Sequence, residues 1–135
     1  AAGLTLAYHP HGYEFRPHGD GTLFDIMARG AEHFAFEMDM YWVQHGGADP
    51  LALLNQYPDA FVLMHLKDME HGVECNYSGH EDVETNVVLG TGQVDVAGLV
   101  KRGAELGIEY MFIEDESSRV LSQVPQSLEF LRSLE

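Results

Sequence analysis

"AFVLMHLKD", residues 60–68, decides how the rest of the chain is read. Ala60 to Met64 are five consecutive apolar residues, and His65, Lys67 and Asp68 follow at once. A strand with one face in water alternates apolar and polar residues, and this run does not. It predicts a strand of a parallel sheet, buried on both faces, whose end carries an imidazole, an amine and a carboxylate.

The same order of events recurs around it. Residues 4–8 form a short apolar run, followed by a helical pattern near residues 22–31 that Asp20 or Thr22 could cap. Residues 34–38 form another, followed by a helix opening at Asp49-Pro50, a cap residue with proline in the first turn, and closing at Pro58. After residues 60–66 comes a polar stretch, about 67–86, without periodicity, read as a long functional loop. A helix over about 95–106 ends at Gly107. Residues 108–114, "IEYMFIE", are the fourth run, and a last helix is expected over about 125–134. Gly90-Thr91-Gly92 lacks the spacing of a phosphate loop and reads as a turn. Alternating strands and helices with unalternating strands indicate an α/β fold with a parallel sheet, one domain over residues 1–135.

The bulk numbers narrow the function. The 135 residues carry 22 acids against 7 bases, a formal net charge of -15, the wrong sign for nucleic-acid binding. No apolar run approaches the roughly 20 residues of a membrane helix. Cys75 is the only cysteine, which excludes an intrachain disulfide and a cysteine-rich zinc site. No targeting segment precedes the first apolar run, and a cytoplasmic location is expected.

In parallel α/β folds, ligand chemistry gathers at the carboxyl ends of the strands. The first run ends in His9, His11 and Glu14, and the second in Glu37 and Asp39. The third ends in His65, Lys67 and Asp68, and the fourth in Glu114, Asp115 and Glu116. Taken singly, a histidine there is usually structural and an aspartate usually a helix cap. Four strands delivering carboxylates and imidazoles to one rim is different, because such groups repel unless a cation lies among them. Oxygen and imidazole donors without thiolate suit Mn, Mg, Co, Fe or Zn, and a carboxylate-rich set leans towards Mn or Mg.

The stretches "YHPHGYEF", "FEMDMYW", "GGADPLALLNQYP", "LMHLKDM", "LGTGQVD" and "FIEDES" resemble, in this order, the sugar phosphate isomerase/epimerase family of xylose isomerase-like TIM barrels. The resemblance covers nearly the whole chain and corresponds to the C-terminal half, four β/α units, of a (β/α)8 barrel. It implies a divalent ion held by four side chains. Carried over, Asp39, His65 and Glu114 are three ligands, and Glu14 is the fourth, as in relatives with "YHNHDFEF"-like runs. Members with an earlier glutamate align it with His9. His11, Lys67 and Glu114 are then the candidates for proton transfer or for holding a substrate oxygen. A Lys67–Asp68 salt bridge is the competing role for the lysine. Tyr41 and Trp42 line a sugar face or pack in the core.

The implied activity is a metal-dependent sugar or keto-sugar isomerase or epimerase, working by proton abstraction beside a carbonyl. A 3-keto-sugar lyase or hydratase on the same site is the alternative, and a non-catalytic half-barrel is another. An endonuclease IV-like phosphodiesterase fits poorly with the acidic charge. A full barrel has about 250 residues. Either this chain is a fragment, or another chain supplies the other half, or two copies associate.

Overall fold

The computed structural model describes residues 3–134. β1 (Ala7–Tyr8) runs into a 3-10 turn at Tyr13–Phe15. A small ribbon, β2 (Pro17–His18) against β3 (Gly21–Thr22), leads into α1 (Leu23–Gly30). Thr22, not Asp20, caps this helix. Its Oγ1 accepts the Asp25 N–H, while its own N–H donates to Asp25 Oδ2 at 2.6 Å. β4 (Ala35–Asp39) passes directly into α2 (Met40–His45), because Asp39 ends the strand and caps the helix through Trp42 N–H. α3 (Pro50–Gln56) begins at the Asp49 cap with its proline in the first turn. β5 (Phe61–Leu66) follows, then a second ribbon, β6 (Asp68–Met69) with β7 (Asn86–Val87). α4 (Val96–Glu105), β8 (Tyr110–Ile113) and α5 (Val120–Arg132) complete the chain.

The main sheet has the order β1-β4-β5-β8 and is parallel throughout. One face is sealed by the helices. Phe36, Met38, Met64 and Leu66 pack there with Phe24, Leu54 and Leu99, all buried. The other face is open within this chain, where Tyr110 is 60% and Phe112 47% exposed. Strands expected to be covered on both faces are therefore covered on one by this chain's own residues.

Four local expectations need correction. The stretch after β5 is not structureless: β6 and β7 fasten it, and Asp68 anchors the glycine turn. The Asp68 carboxylate accepts N–H groups from Met69, Gly90, Gly92 and Val94, so it forms no ion pair with Lys67. The last helix begins at Val120 and carries Pro125 in its second turn rather than at its start. α2 has only six residues, too few for a helical period to be read. Among the described residues, no helix is long and apolar enough to cross a membrane.

Candidate metal centre

The carboxyl ends of the four parallel strands bring one side chain each to a common point. Asp39 and His65 are direct partners across the β4–β5 ladder. Glu114 follows β8, its N–H bonded to Leu66 O at 3.0 Å, and His9 follows β1. His9, Asp39, His65 and Glu114 each offer a ligand atom, and these atoms all lie within 4.8 Å of one another. His9 Nε2 is 3.2 Å from Asp39 Oδ2 and 3.2 Å from His65 Nδ1. His65 Nδ1 is 2.5 Å from Glu114 Oε2 and 3.5 Å from Asp39 Oδ2.

The charged groups of this cluster act strongly on one another. The carboxylates of Asp39 and Glu114, set against the opposing effect of burial, push the His65 imidazole up to about 10. Burial alone would raise the fully buried Asp39, but His65, His9 and the Trp42 N–H outweigh it and hold its pKa low. Glu114 is lowered by His65, against the opposing effect of burial, with Lys67 adding to the lowering. Glu114 Oε2 is buried and meets His65 Nδ1 at 2.5 Å as an ion-pair contact. A carboxylate oxygen, an imidazole nitrogen and a second carboxylate crowded together at the ends of parallel strands form a donor set that a metal ion could share. Ligands about 2.0–2.2 Å from an ion stand roughly 3 Å from one another, close to the spacings here. Two imidazoles and two carboxylates match a divalent charge, so the donor set fits such an ion.

Of the residues expected from sequence, Asp39, His65 and Glu114 lie together, and His9 rather than Glu14 lies with them. The Glu14 carboxylate is buried and accepts from Tyr8 OH and from the N–H groups of His11 and Gly12. Both residues lie on the same short turn, and spacing alone does not say which one reaches the rim. His11 lies outside the four, its ring centroid 4.5 Å from that of His9 and 5.8 Å from that of Trp42. Lys67 is buried beneath the cluster. Its Nζ donates to Glu116 Oε2 at 2.5 Å and Glu114 Oε1 at 3.3 Å, over the faces of Tyr41 and Trp42. Tyr41 belongs to the core, with its hydroxyl against Thr85. Two of the strand-end residues named from sequence were given no role there. Glu37 Oε1 lies 3.1 Å from His65 Nε2, and Glu116 is the main partner of Lys67. Period-2 alternation along β4, which sets Glu37 on the face of Asp39, is the signal that points to the first.

No protein-family model and no curated protein matches the sequence. Solved structures do. A sugar phosphate isomerase/epimerase from Parabacteroides distasonis superposes with a TM-score of 0.74 at 24% identity, over 97% of this chain and 46% of its own. A xylose isomerase domain protein from Planctomyces limnophilus gives 0.69 at 18% identity, over 98% and 45%. The probable 3-DHS dehydratase of Bacillus anthracis gives 0.64 at 15% identity, over 82% and 43%. The structural neighbours are thus sugar phosphate isomerase/epimerase and xylose isomerase-like proteins, the group the motifs resemble. They establish the fold, and the chain spans less than half the length of each.

Proposed function

We propose that residues 1–135 form the C-terminal half, four β/α units, of a xylose isomerase-like (β/α)8 barrel. The whole is a divalent-metal-dependent sugar or keto-sugar isomerase or epimerase. The observation that carries this reading is the convergence of His9, Asp39, His65 and Glu114 from four parallel strand ends. With two imidazoles among the four donors, the set suits Mn, Fe, Co or Zn better than Mg. The open sheet face, with Tyr110 and Phe112 exposed, is the surface the other barrel half or a second copy would cover. The partner is a small-molecule sugar in the cytoplasm rather than nucleic acid or membrane.

The ion's contribution is to polarise a substrate carbonyl or hydroxyl and offset the charge that develops when the adjacent carbon loses a proton. The remaining work falls to the chain's own side chains. Lys67 holds Glu114 by Oε1, which leaves Oε2 turned towards His9, Asp39 and His65. A carboxylate held by a cation is a weak base, so His11, beside the four but not among them, takes and returns the carbon-bound proton. Trp42 and Tyr13, flanking the His11 ring, offer aromatic faces to the apolar side of a sugar.

The test follows the solvent proton in the full-length protein. A panel of keto-sugars in deuterated water with Mn2+ should acquire deuterium at a carbon beside the carbonyl. Asp39→Asn and His65→Ala should abolish both exchange and Mn2+ uptake, and His11→Ala should keep the metal but slow turnover by about 10²–10⁴-fold. Metal-independent turnover, or phosphodiester cleavage without carbon exchange, would rule the reading out. A second reading, a 3-keto-sugar lyase or dehydratase, draws on the likeness to the probable 3-DHS dehydratase. It shares the proton abstraction and is told apart by loss of water from the product.

A further inference from the structure

We infer that Glu14 is a positioning residue of this site, whose buried carboxylate braces the turn that delivers His9 to the ion and His11 to the substrate. The inference rests on reading His9, Asp39, His65 and Glu114 as a metal centre. Glu14 is 3% exposed. Its Oε1 accepts the Tyr8 hydroxyl at 2.7 Å, and its Oε2 accepts the backbone N–H groups of His11 at 3.0 Å and Gly12 at 3.1 Å. These donors come from both sides of His9-Pro10, so one carboxylate closes the turn on itself. Bonds from backbone N–H to a carboxylate are charge-assisted and strong.

A second contact presses the braced turn against the helix that starts at Asp39. Gly12 has φ +111°, which favours glycine, and a Cβ there would stand 3.3 Å from Trp42 O and 3.4 Å from Gly46 Cα. The place of His9 relative to Asp39 is therefore set through backbone.

Among the described residues, the side of the His9 ring turned away from Asp39 and His65 has no hydrogen-bond partner. A metal-ligating histidine is ordinarily steadied by a hydrogen bond at its second ring nitrogen. His9 Nδ1 is buried and has no such partner. The brace on the backbone at either side of His9 takes over that task, and it holds His11 at the same time.

The experiment is titration of the full-length protein with Co2+ alone, followed by calorimetry and by the visible absorption of the bound ion. Glu14→Gln keeps an acceptor for both N–H groups and should bind Co2+ within about threefold of wild type, with an unchanged spectrum. Glu14→Ala should bind about 10–100-fold more weakly, the usual size of a lost supporting contact. Tyr8→Phe, which removes one of the three bonds, should fall between them. Should Glu14→Ala fail to fold, the comparison of Glu14→Gln with Asp39→Asn still decides. If Glu14→Gln loses as much affinity as Asp39→Asn, Glu14 is a ligand and the inference is overturned. Wild-type affinity in Glu14→Ala overturns it as well, since no brace would then be needed. A folded wild-type protein that takes up no Co2+ overturns the metal reading itself, and this inference falls with it.

Discussion

Lys67 donates to Glu116 across 2.5 Å from a side chain that is only 1% exposed. Burial pulls the lysine pKa down, but Glu116 and Glu114 outweigh that and keep the ammonium charged. Replacing it with Met leaves Glu114 without its Oε1 donor and Asp39 with one fewer cation nearby. The expected loss is about 1–3 kcal/mol of stability, the range for a buried polar group deprived of its partner. Urea denaturation of Lys67→Met against wild type measures it, and an unchanged midpoint would show that water replaces the ammonium.

Glu37 faces the nitrogen of His65 that points away from Glu114. Its Oε1, 3.1 Å from Nε2, favours the proton there and leaves Nδ1 free to act as a donor atom. Glu37→Ala is expected to weaken Mn2+ binding by about 10–100-fold while leaving Asp39 and Glu114 in place. Calorimetric titration provides the readout, and equal affinities would assign Glu37 to the substrate side.

Asp25 ties the start of α1 to the end of α3. It completes the Thr22 cap and accepts hydrogen bonds from Tyr57 OH and Gln56 Nε2. Burial pushes its pKa up, yet the bonds from Tyr57 and Thr22 prevail and hold it below the ordinary 3.8. A depressed carboxylate stabilises the fold above its unfolded pKa, and the contribution is lost as pH falls through the folded value. Asp25→Asn should therefore cost about 1–2 kcal/mol near pH 7. The difference from wild type should shrink well below pH 3.8, which urea melts at the two pH values would reveal.

The open sheet face predicts association. Tyr110 and Phe112 present apolar surface beside two unpaired sheet edges, at β1 and β8. Sedimentation of the 135-residue chain should show a dimer or larger species, and the double variant Tyr110→Ser/Phe112→Ser should shift it towards monomer. A wild-type chain that sediments as a monomer at all concentrations contradicts this.

The parts of this molecule legible in the sequence are those whose causes are local. Asp49-Pro50 announces a helix start because cap and proline act within one turn. Asp39, His65 and Glu114 could be placed on one rim because each lies at the end of an apolar run and parallel strands bring such ends together, while the family resemblance is what picked them out from Glu37, Lys67 and Asp115 beside them. His9 and Glu14 could not be separated in that way. They are five residues apart on one turn, and Tyr8 OH with two backbone N–H groups captures Glu14 only after the turn has closed. Pro125 misled for the opposite reason. Proline is at home in a first turn, and here α5 carries it in the second.

In the sheet order β1-β4-β5-β8, every strand pairs with the next main-sheet strand along the chain. Closing a ladder costs more entropy the longer the intervening segment. The β4–β5 ladder spans the short helices α2 and α3, whereas the β5–β8 ladder must enclose the whole β6–β7 excursion and α4. Local pairings of this kind form fastest. Asp39 and His65, register partners in the β4–β5 ladder, are therefore expected to assemble first, and Glu114, carried by β8, last. A chain arrested before β8 joins would then hold His9, Asp39 and His65 and lack the carboxylate that Lys67 steadies.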